Sequence, residues 1–294
     1  MTVIGDVRYE MRAPLHEQLF TTIDQDAFCF AKIEKIVSGT AVNMARAAQS
    51  LFRTTVIAKI GNDELTPLIK DQSQRIDADW RFIVDPRVPN GLVIIVRDSA
   101  MGKHGGNRLL VSGLPAPGLL LSAADVRSQS RAIQQSDVLM VDGYSLLSPC
   151  GRDALATALE LAGGARVVRC MDLVPHNIHD FLGFADLEGF LRSAEIVVSS
   201  ARTVATLLGE RVAYPACRDD VRALLDRVLQ LKLPPRYWIL RFGIGDVQET
   251  VIQPPQGQSI FYSTGYVETD DHAGFGDRLT VWELHQILMD WNGG

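Results

Sequence analysis

Two hydrophobic periods alternate along the chain, and that alternation is what most restricts its fold. Short apolar runs rich in β-branched residues recur at Val3–Val7, Thr54–Ile60, Gly91–Val96, Arg108–Val111, Val138–Val141, Arg166–Met171, Ile196–Val198 and Tyr237–Phe242. Segments with helical spacing lie between many of them. Thr40–Phe52 places Val42, Ala45, Ala48 and Leu51 on one stripe. Arg152–Ala162 repeats this through Leu155, Leu159 and Ala162, and Asp219–Leu231 through Val221, Leu224, Leu225 and Val228. Strands alternating with helices predict an α/β fold with a mostly parallel sheet covered on both faces. Two regions break the pattern. Residues 9–35 and 85–113 carry strand and turn signals without clear helices, such as Pro89-Asn90-Gly91 before Leu92–Val96 and Gly102–Asn107 before Leu109–Val111. They read as a small β flap, or lid, inserted in a single domain spanning 1–294. No Pro/Ser-rich linker or internal repeat divides the chain.

Composition narrows the functional classes. With 294 residues, 47% of them hydrophobic, the chain can bury a large core without disulfides or metals. The net charge is −6 and no basic run occurs, so nucleic acid is not an expected partner. No apolar stretch has membrane-spanning length, and the start mixes Asp6, Arg8, Glu10 and Arg12 with apolar residues, so neither a membrane partner nor a signal segment is expected. Cys29, Cys150, Cys170 and Cys217 are scattered with no C-x-x-C pair, which points to reduced thiols and a cytoplasmic location.

Three segments carry candidate chemistry. Asp270-Asp271-His272-Ala273-Gly274-Phe275-Gly276-Asp277 follows the strand-like Ser259–Tyr266 and precedes a helical stretch through Val281, Leu284, His285 and Leu288. A glycine-rich turn entering a helix presents unpaired N–H groups and the positive dipole end, which suit phosphate oxygens. An aspartate in the first turn can accept a proton from a hydroxyl. For the glycines alone, a plain helix cap is an equally good reading. Ser38-Gly39-Thr40-Ala41-Val42-Asn43-Met44-Ala45 opens the first amphipathic helix, and Asn43 in its first turn can both donate to and accept from sugar hydroxyls; taken alone, a satisfied polar residue at a helix start explains it better. Val3-Ile4-Gly5-Asp6-Val7-Arg8-Tyr9-Glu10 is read as the first strand, with acidic residues where a parallel strand ends; either carboxylate, taken singly, suits a solvated surface charge as well.

In this order the segments resemble the ribokinase family, the PfkB carbohydrate kinases. Ser38–Ala45 is similar to the G-G-x-x-x-N-x-A signature with Ser38 for its first glycine, and Gly274-Phe275-Gly276-Asp277 is similar to G-A-G-D. Val3–Glu10 resembles the first strand, with Glu10 where members often carry a sugar-binding aspartate. Ala58–Glu64 resembles V-G-x-D-x-x-G, Asp137–Leu147 the strand and turn lining the sugar cleft, Ala194–Gly209 the N-x-x-E segment and Trp238–Gly243 the V-T-x-G strand. The resemblance implies a ribokinase-like three-layer sandwich with a β lid and transfer of phosphate from ATP to a hydroxyl of a small sugar, cyclitol or nucleoside. It implies Asp277 as base, with Gly274, Phe275 and Gly276 completing the anion hole. It places Asp6, Glu10, Gly39, Asn43 and the flap residue Arg108 at the substrate, Ser200, Arg241 and Gly243 at the nucleotide, and Mg²⁺ on the phosphates with no protein ligand assigned.

The departures support an alternative: a non-catalytic or weakly active member that binds a sugar-like ligand. The N-x-x-E positions fall on Ser200 and Thr203, leaving Asp172 or Asp186 to compensate, and Arg241 replaces a small hydroxyl residue. Only 17 residues follow Asp277, so either the adenine wall is expected from elsewhere in the chain or from a partner subunit, or nucleotide binding is expected to be weak. Exposed flap edges offer a route to a homodimer. Other chemistries fit less well. Gly143-Tyr144-Ser145-Leu146-Leu147 lacks the second glycine of a nucleophile elbow, no G-x-G-x-x-G or G-x-x-x-x-G-K-[ST] occurs, and His176 and His179 lack further ligands at zinc spacing.

Overall fold

The computed structural model describes residues 1–15, 20–23, 26, 28–98, 108–213, 215–233, 237–244, 247–265 and 274–293. Among the described residues, thirteen strands form two sheets. They are β1 (Thr2–Ile4), β2 (Arg8–Pro14), β3 (Glu34–Ser38), β4 (Thr55–Ile60), β5 (Asp79–Val84), β6 (Leu92–Arg97), β7 (Arg108–Ser112), β8 (Val138–Asp142), β9 (Val168–Asp172), β10 (Ile196–Ser200), β11 (Tyr237–Ile244), β12 (Val247–Gln253) and β13 (Ile260–Gly265). The α-helices are α1 (Thr40–Ala48), α2 (Thr66–Gln74), α3 (Ala123–Ser128), α4 (Ser130–Gln134), α5 (Pro149–Gly164), α6 (Phe184–Ser193), α7 (Ala201–Leu207), α8 (Arg218–Gln230) and α9 (Phe275–Gly293).

The main sheet has nine strands in the order β13-β12-β11-β10-β9-β8-β1-β4-β5. From β11 to β5 all neighbours are parallel, while β12 and β13 join antiparallel at one end. Successive strand residues point to opposite faces, so each central strand feeds two cores. Ile4, Ile57, Leu139 and Val141 pack with Leu155 of α5, Leu187 of α6 and Leu225 of α8. Val3, Val56, Val138 and Met140 pack with Val42 of α1, Ile69 of α2 and Leu284 of α9. That two-sided demand explains why the strand runs are continuously apolar.

The smaller sheet, in the order β3-β2-β6-β7, is the flap. The stretch Val3–Glu10, expected as one strand, divides between the sheets. β1 stays in the main sheet and β2 belongs to the flap, because the Asp6 amide leaves the ladder and donates to the Asp142 carboxylate at 2.9 Å. The turn expected at Gly102–Asn107 lies outside the described residues, as does 270–273. Asp63 anchors the flap: its carboxylate accepts from the Asn90 amide at 2.8 Å and from the Asn90 side chain, while Asn90 Oδ1 accepts from the Gly61 amide at 3.1 Å. Among the described residues no helix is long and apolar enough to cross a membrane.

Candidate active site

The parallel strands end on one side of the sheet, where such folds usually bind ligands. Asp142 ends β8 and Asp172 ends β9, directly opposite each other in register. Asp142 is buried and engaged: it accepts from the Asp6 amide and the Thr40 hydroxyl, tying the end of β1 to the start of α1. Burial raises its carboxyl pKa, against the lowering effect of the Thr40 bond. Asp172 differs. It is 7% exposed, faces a cavity, and has no hydrogen bond to its carboxyl among the described residues. Burial, then the nearby Asp277, pushes its carboxyl up to about 8.

The turn into α9 meets the start of α1 across this cavity. Gly274 has φ 80°, and a Cβ there would lie 2.9 Å from Asn43 Cγ, so the close approach and the backbone both require glycine. Gly39 is equally constrained: φ is 112°, and a Cβ would sit 2.2 Å from the Asp6 carbonyl oxygen. The Ser38 hydroxyl donates to Asn43 Oδ1 at 3.3 Å, and Asn43 Nδ2 donates to Asp277 Oδ2 at 2.9 Å. Ser38, standing where the signature has glycine, thus orients the residue that holds the candidate base. Burial pushes the Asp277 carboxyl up to about 6, with the Asn43 bond opposing. The first helical bond of α9 runs from the Arg278 amide to the Gly274 carbonyl at 2.9 Å, so the amides of Phe275, Gly276 and Asp277 have no intrahelical acceptor.

Glu10, Asn43, Ser200, Arg241 and Gly274–Asp277 border one cavity of about 200 Å³. Gly39 caps α1, Gly243 lies in β11, and Arg108 lies in β7 opposite Arg97. Asp6 borders an adjoining cavity. Both proposed sugar carboxylates hold Arg8: its Nε donates to Glu10 at 3.1 Å and its Nη1 to Asp6 at 2.9 Å, with the guanidinium 5.4 Å over the Tyr144 ring. The second Glu10 oxygen accepts from Arg12 at 3.0 Å. Arg8 went unassigned in the sequence, although its place between two acids on alternate strand positions is the signal that could have found it.

No protein-family model matches the sequence, and no curated protein matches it either. Solved structures match over nearly all of it. An adenosine kinase of Anopheles gambiae, solved with P1,P4-di(adenosine-5) tetraphosphate, superposes with a TM-score of 0.76 at 16% identity over 98% of this chain and 89% of that one. The adenosine kinase of Sinorhizobium meliloti gives 0.76 at 17% over 97% and 86%. An E. coli protein described as ribokinase II, in complex with ATP and Mg²⁺, gives 0.73 at 17% over 98% and 85%. The chain has a ribokinase-like fold.

Within that ribokinase-like frame the unusual residues have defined local roles. Ser200 caps α7, accepting from the Thr203 amide at 3.0 Å, and Thr203 donates to the His176 carbonyl at 2.8 Å. A hydroxyl pair therefore occupies the N-x-x-E positions. Asp186 caps α6 by accepting from the Gly183 amide at 2.9 Å, so of the two candidate carboxyls it is Asp172 that faces the cavity. Arg241 makes a bidentate pair with the fully buried Glu283, at 2.8 Å for each nitrogen. Among the described residues, no group of three or more His, Cys, Asp or Glu could hold a metal ion.

Proposed function

We propose that the chain is a kinase that transfers phosphate from Mg-ATP to a hydroxyl of a small sugar, cyclitol or nucleoside. The observation that carries this reading is the contact between Asn43 and Asp277 at 2.9 Å beside three helix-start amides without intrahelical acceptors. In a single turn the chain offers a proton acceptor and an anion hole. Asp277 takes the proton from the acceptor hydroxyl as that oxygen attacks phosphorus. The amides of Phe275, Gly276 and Asp277, at the positive end of α9, stabilise the transferring phosphoryl oxygens. Asn43 holds Asp277 in place, and Glu10 orients acceptor hydroxyls from the flap side while keeping Arg8 and Arg12 in place.

The residues fit a magnesium nucleotide in one respect beyond the anion hole. Asp172 is a buried carboxyl lining the same cavity with no hydrogen-bond partner for its side chain among the described residues, so it would face the metal on the nucleotide phosphates. Magnesium would offset phosphate charge and polarise the phosphoryl group. With no metal cage of its own among the described residues, the chain would take up the ion with the nucleotide. The test is product formation from Mg-ATP with a panel of sugars, cyclitols and nucleosides. Phosphorylation of at least one is expected; binding of a polyol with no uptake of Mg-ATP would instead establish a non-catalytic binder.

The proposed role has a pH signature. Asp277 must be ionised to accept a proton, and its pKa is raised to about 6, so kcat should fall as pH drops through about 6. Rates at saturating acceptor between pH 5 and 8 check this. A flat profile across that window would remove Asp277 from the proton transfer.

A further inference from the structure

A separate cavity, of about 480 Å³, opens at the opposite end of the main sheet. The candidate active site lies where the parallel strands end. This cavity lies where two of them begin: Thr55 starts β4, Asp79 starts β5, and both border it. Among the described residues none borders both spaces. The loop that leaves α1 forms one wall and the turn into β5 the other. Gln49 ties the walls together: its Nε2 donates to the Arg46 carbonyl at 3.0 Å, and its Oε1 accepts from the Asp77 amide at 3.1 Å.

Three polar groups on these walls lack a partner. Arg53 and Asp77 carry opposite charges and border the same cavity, yet among the described residues neither side chain makes an ion pair or hydrogen bond, with the other or with any third group. Asp79, by contrast, is neutralised by Arg81 at 2.7 Å. Thr54 is 5% exposed and borders the cavity, and its hydroxyl is buried with no hydrogen-bond partner among the described residues. A buried hydroxyl left unsatisfied costs about 1–3 kcal/mol, so its retention beside a cavity calls for an occupant that meets it. Apolar surface completes the lining, and the Phe52 ring in it is held edge-on against His285 of α9, with centroids 5.6 Å apart.

We propose that this cavity binds a free α-amino acid with an apolar side chain. A zwitterion answers both charges at once: its carboxylate meets the Arg53 guanidinium and its ammonium meets Asp77. The Thr54 hydroxyl donates to the carboxylate or accepts from the ammonium, and the ligand side chain lies against Phe52. A ligand of one charge sign would leave either Arg53 or Asp77 unmatched. The site is remote from Asp277, so its occupant is neither phosphoryl donor nor acceptor, and the inference does not depend on the kinase reading.

Calorimetry on the full chain without nucleotide tests it. The probes are L-leucine and L-phenylalanine, each with its two single-charge halves: 4-methylpentanoate and 3-methylbutylamine, 3-phenylpropanoate and phenethylamine. At least one amino acid should bind at millimolar concentration or below, and each of its halves about tenfold more weakly or worse. Arg53 and Asp77 are exposed, so Arg53→Gln and Asp77→Asn should keep the parent melting temperature while weakening the amino acid about tenfold. Thr54→Val keeps the shape and removes the unsatisfied group, so it should melt no lower than the parent chain and still bind the ligand less tightly. Absence of binding by both amino acids, a half that binds as tightly as its parent amino acid, or unchanged affinity in any of the three variants overturns the proposal.

Discussion

Asp277→Asn lowers kcat by about two to four orders of magnitude and leaves acceptor affinity within a few fold. Asparagine matches aspartate in size, and its amide oxygen can still accept the bond that Asn43 donates at 2.9 Å. The turn and its three amides therefore stay in place, as does the packing of Gly274 against Asn43. What is lost is the group able to take the hydroxyl proton. Residual activity comes from positioning and from the anion hole, which the substitution spares. Steady-state rates with Mg-ATP and the best acceptor of the panel, paired with calorimetry, separate the two effects. The acid limb near pH 6 should also disappear in the variant, since the residue that titrates is gone. Full kcat in Asp277→Asn would require another proton acceptor, and among the described residues Asp172 is the only other carboxyl that lines that cavity without a hydrogen-bond partner.

The sequence carried the layered α/β architecture because the sheet imposes a period on it. Strands fed by two cores must be apolar at successive positions, and Val138–Val141 and Ile196–Val198 show this directly. Strands under weaker demand were less visible. β5 (Asp79–Val84) lies at a sheet edge with alternating exposure, and β12 (Val247–Gln253) pairs antiparallel with polar residues interspersed. The division of Val3–Glu10 between two sheets was hidden, because a side-chain carboxylate from β8, distant in sequence, captures the Asp6 amide. The same principle governs the candidate site. Asn43, Gly274 and Asp277 were legible because local turn and helix-start chemistry selects their types. Glu283 is held by Arg241, 42 positions away, and Asp172 lies in the field of Asp277, 105 positions away, and the periodicity of one chain does not record such neighbours.

Arg241→Met should destabilise the chain by about 3–5 kcal/mol, because it leaves the carboxylate of Glu283 buried without its counter-ion. Glu283 is fully buried on α9, and both its oxygens accept from Arg241 at 2.8 Å; one also accepts from the Tyr262 hydroxyl. Arg241 further donates to Thr250 at 3.1 Å and to Thr280 at 2.8 Å, so its guanidinium fastens β11 to β12 and α9. The double variant Arg241→Met/Glu283→Leu removes both charges and fills the space with apolar volume, which for buried pairs is often neutral or stabilising. Urea denaturation should therefore show a large loss in the single variant and recovery to within about 1–2 kcal/mol in the double. A small loss in the single variant would mean that water or a proton satisfies Glu283. Rate and stability should then separate. Arg241 Nη2 also reaches the Gly276 carbonyl at 3.4 Å, inside the turn that forms the proposed anion hole. A methionine there cannot fix that carbonyl, so the refolded double variant should stay slower than the parent chain, by up to about a hundredfold if the turn shifts by an ångström. Recovery of stability together with full rate would show that the ion pair serves the fold alone and that the anion-hole turn is set by Gly274 and Asn43 without it.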